Sequence, residues 1–410
     1  MILDIAGAAR RFHKTFPFTP LELNHVLSEK YECEIWLKRE DRQVVRSYKI
    51  RGAFNRISSL TNSERSKGVI CASAGNHAQG VAYCCKSMQV QGTIFMPANT
   101  PNQKIERVRE IGSDMIEIIL IGDNYDTCFA AAVGSNMAAA KVFIHAFDDH
   151  KVIEGQGITG LEITEQLAGI DYLFLPVGGG GLAAGLGTWF KENSAQTILI
   201  GVEPEGAASM QAAFENGYPV SLDKIDPFVD GAAVEKVGFL NYPLCKEALH
   251  HLHTVPEGKA SATLLELYNK QGIVAELAGC LSVTALDDFA GVIRGKKLVC
   301  IISGGNNDAL RIEEIKKVAD SWEGLHHFLM IRFKHQPDGL MELFVKLLNE
   351  HHYITRLAYD RREHGRSTYG LVGIRSRSIN DYKELLARID GAGIEYKQVT
   401  RDDFLFKYLV

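Results

Sequence analysis

The chain lacks any apolar run long enough to cross a bilayer, which argues against a helical membrane protein and against a membrane partner. It lacks a charge excess as well. A net charge of -5 over 410 residues gives no footprint for nucleic acid or another polyanion. No C-x-x-C pair occurs among its eight scattered cysteines, so reduced and mostly buried thiols in a cytoplasmic protein are expected, not a disulfide frame. The opening stretch "MILDIAGAARRFHKTF" places its basic residues after its apolar ones, the wrong order for a secretory signal. Hydrophobic residues are not scarce. At 46% they support packed cores and exclude a disordered chain, and the length allows two or three domains.

What is present is order of the α/β kind. "GVICAS", "GTIFMP", "MIEIIL", "KVFIHAF", "DYLFLPVG", "TILIGVE" and "KLVCIISG" are continuous apolar runs separated by helical stretches. Such runs predict strands covered on both faces, hence a parallel sheet. The helix "NDALRIEEIKKVADSW" is expected to close this part. Beyond Trp322 the pattern becomes strand, helix, strand, strand, helix, strand, the ferredoxin-like βαββαβ unit. The expected division is therefore 1–322 and 323–410. The second part holds His326, His327, His335, His351, His352 and His364. Adjacent histidines on a strand face opposite ways, so surface histidines are expected and no metal site is assigned.

Four short motifs carry chemistry. In "LPVGGGGLAAG" the glycines Gly178, Gly179, Gly180 and Gly181 follow a strand and open a helix at Leu182, where bare backbone can wrap a phosphate. Gly179, Gly181 and Ala184 also nearly match a dinucleotide fingerprint, with Glu203 at about the distance of a ribose-binding acid. In "SYKIRGA", Lys49 lies among Ser47, Tyr48 and Ile50. A Schiff-base lysine needs burial or a cationic neighbour to shed its proton, and Arg51 is a candidate neighbour. In "CASAGNHAQG", Ser73, Ala74 and Gly75 leave backbone N–H groups open where a strand meets a helix, a site suited to a carboxylate. Asn76 and His77 follow at the helix start. In "IISGGNND", Ser303 ends a strand, where open α/β sheets bind ligands, and Asn306 or Asn307 suits a helix cap. A phosphate cradle, a special lysine, an anion loop and a strand-end hydroxyl together suit pyridoxal phosphate. A dinucleotide leaves Lys49 and the second loop unexplained.

"SYKIRGA", "SAGNHAQG", "PVGGGGLAAG" and "SGGN", in that order, resemble the threonine dehydratase family, and with "LKREDRQ" the resemblance covers nearly the whole chain. It implies a tryptophan-synthase-β-like (fold type II) catalytic region, with a smaller domain inserted around 50–150, and one C-terminal ACT-like regulatory domain. It implies that Lys49 holds pyridoxal 5'-phosphate as a Schiff base and removes the substrate α-proton. Gly178, Gly179, Gly180, Gly181 and the Leu182 amide would hold the phosphate, Asn76 the phenolic oxygen and Ser303 the pyridine nitrogen. Ser73, Ala74, Gly75, Asn76 and His77 would take the substrate carboxylate, with His77 a packing residue, not a catalyst. The implied reaction is conversion of L-threonine to 2-oxobutanoate and ammonia, feeding isoleucine biosynthesis, with isoleucine and valine as effectors. L-serine dehydratase, or another β-elimination or replacement enzyme of this fold, is the alternative. A homotetramer is also implied. Related serine racemases carry serine where this chain has Ala74, which argues against racemisation. They bind a cation through an acid matching Glu203 and another six residues on, where this chain has Ser209.

Overall fold

A computed structural model describes residues 3–334, 347–359 and 367–400, with Asp403 and Leu409. The chain divides into two compact units, Met1–Asp308 and Ala309–Val410. The helix Ile312–Trp322, expected to close the first part, belongs to the second unit.

The first unit holds two sheets. Its strands in chain order are β1 (Leu21–Leu23), β2 (Glu34–Arg39), β3 (Val69–Ala72), β4 (Gly92–Met96), β5 (Ile116–Leu120), β6 (Val142–Phe143), β7 (Tyr172–Pro176), β8 (Ile198–Pro204), β9 (His251–Val255) and β10 (Lys297–Ile302). The larger sheet runs β1-β2-β10-β7-β8-β9 and the smaller β5-β4-β3-β6. Every pairing is parallel except β1 with β2. The apolar runs explain this, since β3 and β4 are buried along their whole length between helices. The runs do not reveal β1, β2 or β9. The edge strand β9 is polar, "HLHTV", and β2 ends in Lys38 and Arg39.

Those charges belong to a buried network. Arg51 donates to Glu40 and Glu162, and Lys38 donates to Glu162 at 2.6 Å, the Thr19 carbonyl and Gln166. All four charged side chains are fully buried. The network ties β2 to the helices Lys49–Ser58 and His150–Gln166. The same helices approach closely through glycine. A Cβ on Gly155 would lie 2.5 Å from the Arg51 carbonyl, and one on Gly185 would lie 2.6 Å from the Gly157 nitrogen.

In the second unit β11 (His326–Lys334), β12 (His352–Tyr359), β13 (Ser367–Ser376) and β14 (Tyr396–Val399) form one antiparallel sheet, β12-β13-β11-β14. This is the order expected of βαββαβ, with the helix Ile379–Gly391 packing Tyr382, Leu385 and Ile389 against Leu329, Ile331, Val372 and Ile374. The first expected helix, "GLMELFVKLLNE", lies mostly outside the described residues, as do His335 and His364. The expectation of surface histidines is corrected for His326 and His352, which are buried. His326 Nε2 bonds Thr355 Oγ1 and His352 Nε2 bonds the Asp381 carbonyl, so each ring replaces water with a protein partner.

Candidate active site

Lys49 opens its helix just after an extended turn. Ser47 pairs with Gly304, and the Tyr48 N–H donates to the Ser303 carbonyl at 3.1 Å. This joins the lysine segment to the end of β10. The Lys49 Nζ donates to the Ala146 carbonyl at 3.1 Å, with the Tyr48 ring 5.4 Å away. Burial lowers the Lys49 pKa to about 8, against the opposing pull of Glu276. Arg51 is not the cause. Its guanidinium turns to Glu40 and Glu162 in the buried network, so the candidate cationic neighbour is spoken for.

The glycine loop faces the same cavity. This space, open to solvent, is lined by Tyr48, Lys49, Phe147, Gly231, Val234 and the stretch from Gly178 to Ala183. Side chains cannot replace these glycines. A Cβ at Gly178 would lie 2.8 Å from the Ala232 carbonyl, and one at Gly179 2.5 Å from the Phe147 ring. Gly180 has φ +90° and caps the helix Gly181–Asn193 with no side chain to take its first amides. The loop carbonyls are held from behind. Asn241 Nδ2 donates to the Gly179 carbonyl at 2.7 Å and the Phe147 carbonyl at 3.1 Å, and Cys245 Sγ reaches the Gly180 carbonyl. With carbonyls bound behind, the amide edge of the loop and the helix N-terminus are left for an anion.

The loop Ser73–His77 starts the helix Asn76–Met88, again with no side-chain cap at Gly75. Ser73 Oγ accepts the Gly75 N–H at 3.2 Å. The His77 ring turns inward and its Nε2 bonds the Ile144 carbonyl at 2.9 Å. Burial, with Lys49 and His145 adding to it, lowers its pKa to about 3, so His77 is a neutral packing residue. Asn76 is oriented from two sides. Its Nδ2 donates to Glu276 Oε1 at 2.6 Å, and its Oδ1 accepts from Asn306 Nδ2 at 2.7 Å. Asn306 therefore does not cap a helix. It also donates to the Val45 carbonyl. Ser303 is buried, and its hydroxyl makes only a long 3.4 Å bond to the Ala278 carbonyl.

The lysine segment and the glycine loop thus share one cavity, and the other two motifs adjoin it, Ser303 through the Tyr48 N–H and Asn76 beside Gly304. Sequence reading missed Glu276 and Asn241, which act on motif residues 200 and 62 positions away and carry no local signal, and it read Asn306 only as a helix cap. Burial and Asp230 push the Glu276 carboxyl up to about 7, against the bond from Asn76. Glu203 is not placed as a ribose-binding acid. Its carboxylate accepts the Met210 and Gln211 N–H groups at 2.7 and 2.8 Å, closing the start of the helix Ser209–Asn216.

Residues 15–304 match the family described as pyridoxal-phosphate dependent enzyme, and residues 318–409 match the C-terminal regulatory domain of threonine dehydratase. A protein of Halalkalibacterium halodurans named L-threonine dehydratase biosynthetic IlvA is 44% identical over 410 residues, covering 100% of this chain and 99% of that protein. One of the same name from Lactococcus lactis is 46% identical over 396 residues, covering 96% and 95%. The processed form of threonine deaminase isoform 2 from Solanum lycopersicum superposes with a TM-score of 0.73 at 37% identity, covering 77% of this chain and 92% of that one. The chain belongs to the threonine dehydratase family of pyridoxal-phosphate-dependent enzymes.

The threonine dehydratase site fits that cofactor on the geometry above. A glycine cradle at a 13-residue helix accepts a phosphate. An amine with a lowered pKa faces the same space and can form the covalent link. Asn76 and Ser303 bring an amide and a hydroxyl, groups whose hydrogen bonding suits ring heteroatoms, to the segments beside the lysine.

Proposed function

We propose that this chain is an L-threonine ammonia-lyase, converting L-threonine to 2-oxobutanoate and ammonia in isoleucine biosynthesis. The observation that carries this reading is one cavity holding both the low-pKa Lys49 amine and the glycine cradle. The names of the full-length relatives support the substrate.

The amides of Gly178, Gly179, Gly180, Gly181 and Leu182 would bind the phosphate. Lys49 would hold the cofactor. Asn76 would meet its phenolic oxygen, turned to that task by Glu276 and Asn306. Ser303 would meet the pyridine nitrogen with a hydroxyl, which does not require that nitrogen to be charged. Bound pyridoxal phosphate supplies the electron sink that makes an amino acid's α-hydrogen acidic. Lys49 Nζ would accept that proton. A base with a pKa near 8 is partly neutral at cellular pH yet strong enough to take it. The loop Ser73, Ala74, Gly75, Asn76 and His77 would bind the carboxylate with its helix-start amides. Ala74 offers no proton to the opposite face, which favours elimination over racemisation.

L-serine is the second substrate to test, because one methyl group in a pocket is worth only about 1–3 kcal/mol. The regulatory unit would bind isoleucine, with valine opposing it, through different affinities for two states. A cytoplasmic homotetramer is the assembly in which this control would act. Among the described residues no helix is long and apolar enough to cross a membrane. The deciding assay follows 2-oxobutanoate from L-threonine with and without isoleucine, and with Lys49→Ala. Ammonia release by Lys49→Ala at the wild-type rate sinks the mechanism. A threonine saturation curve unmoved by isoleucine sinks the regulation.

A further inference from the structure

The turn after β6 touches both the lysine and the glycine loop, and one histidine shapes it. The chain leaves the sheet at Ile144, whose N–H still reaches the Ile70 carbonyl and whose own carbonyl takes the His77 ring. His145 Nδ1 then accepts two backbone N–H groups, those of Phe147 at 3.2 Å and Asp148 at 2.8 Å. An asparagine or aspartate oxygen commonly does this at a turn. An imidazole can do it only while Nδ1 carries a lone pair, so the neutral ring with its hydrogen on Nε2 is required.

The turn so formed has three contacts. The Ala146 carbonyl accepts from Lys49 Nζ at 3.1 Å. The Phe147 ring sits beneath Gly179, and its carbonyl takes Asn241. The Asp148 carboxylate accepts the Phe239 and Leu240 N–H groups at 3.0 and 2.8 Å. The His145 ring is itself wedged edge-on against Phe129 and Phe147. The charged and titratable groups facing it are Asp148, Asp149, Lys49 and His77. Burial outweighs the two carboxylates and lowers its pKa to about 4, which keeps Nδ1 an acceptor at neutral pH.

We propose that His145 is a positioning residue for Lys49: its Nδ1 shapes the 145–148 turn so that the Ala146 carbonyl holds one hydrogen of the amine. The lone pair of the neutral amine is then directed into the cavity. This rests on Lys49 being the base in the proposed reaction.

The test uses the full chain with His145→Asn, which keeps an acceptor, and His145→Leu and His145→Phe, which do not. His145→Phe keeps the aromatic packing should His145→Leu fail to fold. In cofactor-free protein, acetylation of Lys49 by acetic anhydride is followed against pH by peptide mass spectrometry. For the apolar variants the Lys49 midpoint should rise by about one pH unit, as the loosened amine meets water. In the loaded enzyme their kcat for threonine should fall about 10–100-fold with KM nearly unchanged, since misplacing a reacting group has effects of that order. His145→Asn should match wild type in both. Wild-type titration in both apolar variants overturns the proposal, and so does an Asn variant as impaired as they are. If wild type makes no 2-oxobutanoate, the threonine reading fails while the labelling still decides the role of His145.

Discussion

Replacing Lys49 with Met should end catalysis and make the cofactor-free protein more stable. Burial takes the amine from its ordinary 10.5 to about 8. That fall corresponds to roughly 3 kcal/mol of penalty for keeping the ammonium inside. The side chain is partly exposed to the cavity, so solvent screens the charge and about half of that, ~1.5 kcal/mol, should reach the measured stability. The sign follows from proton binding. Below pH 8 the amine is charged in folded and unfolded chains alike, and the folded form bears the whole penalty. Between about 8 and 10.5 the folded form sheds its proton while the unfolded form keeps it, so wild-type stability climbs towards that of the variant. Glu276 acts in the same direction. Without the Lys49 charge its pKa rises further, and ionising it as pH rises weakens the variant. Urea unfolding of both cofactor-free proteins at pH 7, 8, 9 and 10 should show a gap of about 1.5 kcal/mol at pH 7 that narrows steadily. A gap independent of pH, or a variant less stable at pH 7, would falsify the assignment of the low pKa to burial.

Three further perturbations probe the scaffold behind the site. Arg51→Met leaves Glu40 and Glu162 buried beside one remaining cation, Lys38, and should destabilise by about 3–5 kcal/mol. An unchanged urea midpoint refutes the network's role. Asn241→Leu removes the donor to the Phe147 carbonyl and leaves Gly179 with only the Gly238 N–H, and leaving a buried carbonyl unpaired costs about 1–3 kcal/mol. Equilibrium dialysis should then show pyridoxal phosphate held at least about fivefold more weakly, and wild-type affinity counts against a cradle set from behind. Glu276→Gln removes the attraction that raises the Lys49 pKa. The acid limb of the kcat–pH profile, where Lys49 is the released base, should move to lower pH, and a shift the other way contradicts the geometry.

Much of the site was legible because its chemistry is written in contiguous residues. A glycine run after an apolar strand has few uses, and "SYKIRGA", "SAGNHAQG" and "SGGN" narrow them to one cofactor class. The partners that orient those residues were not legible. Nothing around Glu276 or Asn241 distinguishes them from ordinary polar residues, since their meaning is a bond across the fold. Arg51 shows the converse error. Two positions from Lys49 it reads as a neighbour in charge, yet residues i and i+2 on a helix do not share a face. Glu203 sat at a plausible spacing for a ribose acid and was turned to helix amides instead. His326 and His352 looked exposed, because a short polar segment gives no sign that a sheet and helix will close over one of its side chains.

From the sequence alone came the α/β order, the βαββαβ unit and the cofactor-binding motifs, because each is a local pattern of side-chain size, polarity and period. Tertiary structure decided the state of the groups within them. Which amine sheds its proton early, which carboxyl is raised, where Asn76 points and what His145 accepts depend on burial and on partners brought from distant parts of the chain.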